Sequence, residues 1–412
     1  MSKEKTKCSF CGRGRDEVDV MIAGISAHIC NHCVDQAILI VKQETVGKKG
    51  NQIKESLKIQ KPKDIKKFLD DYVIGQDDAK KVLAVAVFNH YKRVLAQNIG
   101  KDEEIEIEKS NVMLVGETGT GKTLLVKSIA KLLNVPFCIA DATALTEAGY
   151  VGEDVESILS RLYQASDYNQ EATERGIVFI DEIDKIARKS DNPSITRDVS
   201  GEGVQQALLK LIEGAVVNVP PQGGRKHPDQ KYIQINTKNI LFVCGGAFDG
   251  IQKVIARRMN TNAIGFSNQQ AGEKIDKEEL LQFVRPQDLK SYGLIPELIG
   301  RIPVLSYLSP LTENMLKRIL VEPKNSLIKQ YIKLFEMDDI KLSFDNDALD
   351  YIVSKAVEFK LGARGLRSIC EEVMTDLMFD APSDDKMKEI RITLEFTKKK
   401  LEKIKASNMI AA

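Results

Sequence analysis

The segment GETGTGKT, residues 116–123, indicates the fold of the main part of the chain. It fits the phosphate-loop pattern G-x-x-x-x-G-K-[ST] and follows the apolar segment NVMLVG, residues 111–116. Glycines let successive backbone N–H groups turn toward phosphates, and the N-terminus of the next helix adds positive potential. Lys122 is predicted to reach the β- and γ-phosphates, and Thr123 to ligate Mg²⁺. The predicted nucleotide contacts in this segment are Gly116, Glu117, Thr118, Gly119, Thr120, Gly121, Lys122, Thr123 and Leu124.

Further apolar segments follow the phosphate loop and alternate with helical patterns. IVFID (177–181) and ILFVCG (240–245) are typical of buried parallel strands. This alternation predicts a doubly wound α/β domain with a parallel sheet. The helix after the phosphate loop carries apolar residues at amphipathic spacing, namely Leu124, Leu125, Ile129, Leu132 and Leu133.

A pair of acids ends the second of these strands. Asp181 and Glu182 would lie at the carboxyl edge of the sheet, beside the phosphate loop. Asp181 is predicted to hold Mg²⁺, and Glu182 to orient and polarise the attacking water. The alternative is that both acids merely cap the next helix, because acids favour helix starts.

Four of the seven cysteines lie near the start of the chain, as CSFC (Cys8, Cys11) and CNHC (Cys30, Cys33). Two C-x2-C turns at this spacing are typical of a structural zinc site with four thiolate ligands. A module this small needs the metal for its folding. Disulfides or free thiols are the alternative.

The composition places the chain among globular proteins of a reducing compartment. The 412 residues exceed one core, and 60 basic residues nearly balance 59 acidic ones. This balance argues against a nucleic-acid coating protein. No signal peptide or membrane-spanning run is visible, so we expect a cytoplasmic protein without a membrane partner. The expected domains are a zinc module (1–45), a linker (46–62), a large ATPase domain (63–310) and a small, mainly helical domain (311–412).

These motifs together resemble the AAA+ ATPases, and within them the protein-unfolding subunits that serve a separate peptidase. The resemblance extends from the zinc module to about Ser368. YVIGQDDAK (72–80) is similar to the segment of the adenine pocket, which implies that Val73 and Ile74 lie against the base. ELIGRIPV implies that Arg301 is an arginine finger for the nucleotide of a neighbouring subunit. LGARGLRS implies that Arg364 touches the nucleotide of its own subunit.

The resemblance also gives a role to GYVG, residues 149–152. In this family the loop points into the axial channel of a homohexamer, so Tyr150 and Val151 would grip an extended polypeptide. Taken alone, Tyr150 would more simply pack onto its own core. TRDVSGEG (196–203) resembles the second pore loop, and the charged residues of the entrance loop would be Arg225, Lys226 and His227. For these two loops the alternative is an ordinary solvated loop.

An apolar tripeptide, Ile264, Gly265 and Phe266, lies within the polar stretch NTNAIGFSNQQ. The family uses such a tripeptide to dock on the peptidase ring, with strength from multivalency. Without the resemblance it would be a loop anchored to its own core. One feature departs from the family: the strand ILFVCGG ends in Cys244 and glycines, so no polar sensor residue is assigned there.

The resemblance implies an ATP-dependent unfoldase that uses ATP, Mg²⁺ and Zn²⁺, acts on tagged or misfolded proteins and adaptors, and passes substrates to a peptidase. The chain itself is not expected to be the peptidase, because its histidines do not form a zinc-protease motif. One rival is a nucleic-acid motor, which neutral charge and an aromatic pore loop disfavour. The other is a chaperone that works without a peptidase, which the docking tripeptide disfavours.

Overall fold

The structure, a computed structural model, describes residues 7–38, 40, 59–97, 107–146, 153–187, 201–220, 232–263, 279–359, 362–383 and 387–410. The chain divides into two compact units, Met1–Lys58 and Ile59–Ala412. No helix in the described ranges is long and apolar enough to cross a bilayer.

The first unit is built around a short antiparallel hairpin. Strands β1 (Met21–Ala23) and β2 (His28–Cys30) pair with Met21 opposite Cys30. A helix, α1 (31–38), begins directly after β2. The second C-x2-C motif therefore spans the change from strand to helix, which turns Cys33 back toward Cys30.

The second unit contains a five-stranded parallel sheet in the order β11-β3-β10-β7-β4. The central strands are buried on both faces, which explains why they appear in the sequence as unbroken apolar runs. The edge strand β4 instead alternates buried and exposed residues. The strands are β3 (Val112–Val115), β4 (Phe137–Asp141), β7 (Ile177–Asp181), β10 (Leu241–Gly246) and β11 (Val304–Tyr307).

The three predicted strands are confirmed, and so is the parallel α/β sheet. Outside the sheet, two small strand pairs form, β5 (Leu145–Thr146) with β6 (Glu153–Asp154) and β8 (Val216–Val219) with β9 (Ile233–Asn236). The helices of this part are α2 (Pro62–Asp70), α3 (Asp77–Gln97), α4 (Lys122–Leu133), α5 (Ser157–Ala165), α6 (Gln170–Thr173), α7 (Glu202–Glu213), α8 (Ile251–Ala263), α9 (Pro286–Tyr292) and α10 (Pro296–Gly300).

The C-terminal part has a separate, mainly helical core. Its centre is made of leucine, isoleucine and aromatic side chains, among them Leu320, Tyr331, Ile352 and Leu366. The mainly helical prediction is confirmed, although one strand was missed: β12 (Lys341–Phe344) pairs with β13 (Glu389–Ile392) in parallel. The helices are α11 (Glu313–Val321), α12 (Leu327–Glu336), α13 (Asn346–Glu358), α14 (Gly362–Asp380) and α15 (Leu394–Ile410).

The amphipathic pattern of α4 is only partly matched by the burial of its side chains. Leu125, Ile129 and Leu133 are buried, Leu132 is partly buried, and Leu124 is 46% exposed. Helical spacing alone does not separate Leu124 from Leu125, since the two are adjacent. Leu124 instead faces the cavity beside the phosphate loop.

Candidate nucleotide site and metal centre

The phosphate loop connects the end of β3 to the start of α4. Gly121, at the N-terminus of α4, has φ +102°, a conformation that glycine adopts without steric strain. The ammonium of Lys122 lies inside the loop, where it donates to the carbonyl oxygens of Gly116 at 2.5 Å and Glu117 at 2.9 Å. Burial lowers the pKa of Lys122, and the Asp181 carboxylate partly offsets that effect. A phosphate bound here would add negative charge next to a partly desolvated cation.

Two oxygen ligands suited to Mg²⁺ come together beside the loop. The hydroxyl of Thr123 donates to Asp181 Oδ2 at 3.2 Å, although the residues are far apart in sequence. Strand β10 lies between β3 and β7 at this point. Hydroxyl and carboxylate oxygens are ligands that Mg²⁺ prefers, together with water and phosphate. The arrangement fits an ion shared between α4 and β7.

Glu182 does not cap the turn that follows it. It precedes a 3-10 turn, Ile183–Ile186, and its side chain makes no capping hydrogen bond. Its backbone is left-handed, with φ 57° and ψ 32°, which is uncommon for a residue other than glycine. The exposed carboxylate lines the same cavity as Lys122. The capping alternative is therefore wrong for Glu182, and the carboxylate is placed where it can contact a water.

A cavity of about 510 Å³ adjoins Lys122, Asp181 and Glu182. It is lined by residues of the α/β part and of the C-terminal helical part of the second unit. Arg364, in the first turn of α14, lines it opposite the phosphate loop. The two sides are close: a Cβ atom built on Gly119 would lie 3.8 Å from the backbone nitrogen of Ala363. Arg367 follows one turn later on the same helix and also lines the cavity. Sequence reasoning missed Arg367, although its i, i+3 spacing from Arg364 was a usable signal.

Val73 and Ile74 are buried beside the phosphate loop, at 5% and 6% exposure. A Cβ atom built on Gly121 would lie 3.7 Å from Val73 Cγ1. Val73 and Ile74 line a neighbouring cavity of about 400 Å³. They do not line the cavity of about 510 Å³ that contains Lys122 and Arg364. Lys80 holds their segment, because its ammonium donates to Val73 O at 2.6 Å.

Close packing explains why β10 ends in glycine and not in a polar sensor residue. A Cβ atom on Gly246 would lie 2.6 Å from the Phe248 ring and 2.8 Å from Asp184 Oδ1. Asp184 is nearly buried, and its Oδ1 accepts from the backbone N–H of Ala247 at 3.1 Å. The carboxylate of Asp184, which the sequence did not single out, is thus the polar group at the end of β10.

Arg301 lies at the opposite edge of the sheet from the phosphate loop. Its carbonyl accepts from the side chain of Asn111, the residue before β3, at 2.8 Å. The phosphate loop begins at the other end of β3, a strand-length of roughly 16 Å away at 3.3 Å per residue. The Arg301 side chain is 57% exposed, and its Nε pairs with Glu213 Oε1 at 2.8 Å. Arg301 is therefore not near the phosphate loop of its own chain.

The four N-terminal cysteines form one cluster. Their Sγ atoms all lie within 4.8 Å of one another, and Cys11 Sγ and Cys30 Sγ are 3.6 Å apart. Thiolates bound to one tetrahedral zinc at about 2.3 Å would be about 3.8 Å apart. Desolvation opposes ionisation of Cys8, but N–H groups of Cys11, Phe10 and Cys30 outweigh it and lower its pKa to about 6. The cluster fits Zn²⁺.

Several predicted site residues lie outside the described residues. They are Tyr150 and Val151 of the pore loop, Arg225, Lys226 and His227 of the entrance loop, Ile264, Gly265 and Phe266 of the docking tripeptide, and most of the stretch 196–203.

Comparisons with known families agree with this arrangement. Residues 6–43 match the ClpX C4-type zinc finger. Residues 107–305 match the AAA domain (Cdc48 subfamily), and residues 311–396 match the C-terminal, D2-small domain of ClpB protein.

Relatives match along nearly the whole chain. The ATP-dependent Clp protease ATP-binding subunit ClpX of Bacteroides thetaiotaomicron is 64% identical over 406 residues, which cover 98% of this chain and 97% of the relative. The chain belongs to the ClpX family. The proteins of the same name from Bacteroides fragilis and Porphyromonas gingivalis are 62% and 60% identical, over 99% and 93% of this chain and 98% and 93% of the relatives. Membership makes the chain an AAA+ ATPase that uses ATP, Mg²⁺ and Zn²⁺ and is not itself a peptidase.

Proposed function

We propose that the chain is an ATP-driven protein unfoldase that works as a homohexamer in the cytoplasm. The observation that carries this proposal is the separation of the two arginines. Arg364 lines the cavity beside the chain's own phosphate loop, whereas Arg301 lies at the opposite edge of the sheet. At that edge, Arg301 can contact a bound nucleotide only if a second copy of the chain places its own nucleotide cavity next to it. Hydrolysis then depends on assembly, which favours a ring.

The chemistry at each nucleotide follows from the contacts of the cavity. Lys122 binds the β- and γ-phosphates, and Thr123 and Asp181, whose side chains are hydrogen-bonded to each other, would hold the Mg²⁺ that neutralises phosphate charge. Glu182 accepts a proton from the attacking water, and its exposed carboxylate supports that role. Arg301 of one subunit stabilises charge that builds on the γ-phosphate in another. The zinc ligands are Cys8, Cys11, Cys30 and Cys33.

Mechanical work follows from the placement of Arg364 on the small domain. A nucleotide that touches both the phosphate loop and α14 ties the angle between the two domains to its own state. Each hydrolysis would then move the pore loop. Tyr150 and Val151 grip the substrate, while Arg225, Lys226 and His227 attract tags that end in a carboxylate.

The relatives are named as subunits of the Clp protease, and we infer that this chain also delivers its substrates to a ClpP peptidase ring. Ile264, Gly265 and Phe266 dock on that ring. Tagged or misfolded proteins and their adaptors are the substrates, and nucleic acid and membranes are not partners.

The test is unfolding of a tagged fluorescent protein by the purified chain without any peptidase. Fluorescence is expected to fall with ATP and Mg²⁺ but not with a non-hydrolysable analogue. Tyr150→Ala should keep ATP turnover and lose unfolding, whereas Tyr168→Ala, at a 50% exposed tyrosine, serves as the matched control. Unfolding that survives Tyr150→Ala would restore the interpretation that Tyr150 packs onto its own core. Turnover stimulated by DNA and not by tagged protein would favour the nucleic-acid motor.

A further inference from the structure

Gln76 makes an unusual contact with the segment that joins the two domains of the second unit. Its side-chain amide donates to Ser309 O at 2.8 Å, and its Oε1 accepts from the N–H of Ser309 at 2.8 Å. The two residues are 233 positions apart in sequence. One side chain thus pairs with both backbone groups of one residue, as a strand would.

The backbone of Gln76 is held in a costly conformation for this contact. Its φ is 58°, and the residue is only 6% exposed. A left-handed conformation disfavours residues other than glycine, and it persists where surrounding contacts determine it. The carbonyl of Gln76 also accepts from the N–H of Lys80 in the first turn of α3 at 2.9 Å.

Ser309 lies between β11 and α11, where the large domain ends and the small domain begins. The preceding residue is already fixed, because Leu308 N donates to Val115 O at 2.7 Å and Leu308 packs on Gly116. On the other side, Thr312 caps α11 through its hydroxyl. Gln76 therefore extends the immobile part of the connection to Ser309. A change in the angle between the domains would then have to be taken up by the residues after Ser309.

We infer that Gln76 is a positioning residue that ties the base-binding segment to the hinge between the domains. Val73 and Ile74, which we assign to the base, come shortly before Gln76 in the same buried segment. A base bound against Val73 and Ile74 restricts the motion of this segment. Because Gln76 is hydrogen-bonded to Ser309, the motion of Ser309 at the hinge is restricted as well. The inference rests on the proposed function, because the hinge matters only if the angle between the domains changes with the nucleotide.

The first experiment compares amide hydrogen exchange of residues 308–312 with and without ADP. The full chain is studied as wild type and as Gln76→Ala, which keeps a non-glycine residue at the left-handed position. Loss of a hydrogen bond of typical strength should speed exchange at Ser309 about fivefold, and ADP should no longer protect the segment. Equal protection by ADP in wild type and variant would overturn the inference.

Gln205→Ala is the matched control. Gln205 is fully buried, donates to Ile186 O and accepts from the N–H of Ile295, both at 2.8 Å, and these partners belong to the large domain. It should lower thermal stability at least as much as Gln76→Ala, yet leave the protection of residues 308–312 by ADP intact. If the control loses that protection as well, Gln76 has no special role.

The second measurement counts the ATP hydrolysed per tagged protein unfolded. Gln76→Ala should raise that number several-fold while the kcat for ATP stays within about twofold, since the two side-chain hydrogen bonds that are lost both go to the Ser309 backbone and not to Lys122, Asp181 or Glu182. An unchanged ratio would overturn the inference. If wild type hydrolyses ATP and unfolds nothing, the proposed function fails, and the exchange comparison still decides the role of Gln76 because it needs only nucleotide binding.

Discussion

Lys80→Met tests whether a single buried ammonium positions the base-binding segment. The ammonium of Lys80 donates to Val73 O at 2.6 Å and pairs with Asp70 at 2.7 Å, with the side chain 3% exposed. Methionine keeps the length and the apolar stem of lysine, so the substitution removes the charge and its bonds without opening a cavity. Lys66 provides the matched control. It pairs with the same Asp70 at 3.2 Å and with Asp77 at 2.6 Å, and it is 33% exposed.

The expected magnitude follows from these contacts. A hydrogen bond from a charged donor contributes about 1.5–3 kcal/mol. The ion pair adds less than about 1 kcal/mol, because the Asp70 carboxylate is 43% exposed and solvent screens it. Without the hydrogen bond from Lys80, the segment that holds Val73 is less ordered, and part of the binding free energy of the base is used to order it. If that part is about 1.4 kcal/mol, the nucleotide binds about tenfold more weakly. Lys66→Met loses only exposed pairs and should change affinity less than about twofold.

The assay is titration of each variant with a fluorescent ADP analogue, alongside thermal unfolding with saturating ADP. Lys80→Met should raise the Kd about tenfold and leave kcat for ATP nearly unchanged, because the reacting atoms keep their partners. Equal Kd values for the two lysine variants would contradict this prediction. In that case the hydrogen bond from Lys80 to Val73 would have no effect on nucleotide affinity beyond that of the ion pairs with Asp70.

The remaining predictions concern the reaction and the metal. Glu182→Gln should bind ATP normally but release phosphate at least about a hundredfold more slowly, because an amide cannot accept the proton from water; equal turnover rejects the assignment. Arg301→Ala should also bind ATP and lose turnover by about a thousandfold. Mixing Arg301→Ala with Glu182→Gln subunits should restore part of the activity, and no recovery would contradict a finger that acts between subunits. Chelation of zinc should unfold the N-terminal unit, since such sites supply about 10–16 kcal/mol of binding energy, and leave ATP turnover within about twofold, as followed by limited proteolysis and phosphate release.

Sequence patterns succeeded where the chemistry depends on neighbours along the chain. The phosphate loop, the strand before it and the helix after it are contiguous, so glycine spacing and apolar periodicity predict them. The four cysteines follow the same logic, because each C-x2-C turn places two thiolates together. Asp181 was predicted because the carboxyl ends of parallel strands meet at one edge of the sheet.

Patterns failed where neighbours in space are distant in sequence. Strand β12 was missed because its partner β13 lies about fifty positions later, and four residues carry too little periodicity to predict a strand. Leu124 follows the amphipathic spacing of α4 but lines the cavity, because helical spacing shows which residues share a face and not where that face meets a cavity. The carboxylate of Asp184 received no role, since its contact with Ala247 depends on how β10 packs against the turn after β7.

Local spacings in the chain are enough to identify the class of chemistry, because the phosphate loop, the acidic pair and the four-cysteine metal module each lie within short segments. Which groups meet around the nucleotide depends instead on how the chain folds. The tertiary structure set Arg364 against the phosphate loop and Arg301 at the opposite edge of the sheet. It also brought Gln76 into hydrogen-bond contact with Ser309, which lies 233 positions later in the sequence. The physical reason is that backbone periodicity and metal spacing act over a few residues, whereas these contacts depend on the order of strands in the sheet and on the packing of one domain against the other.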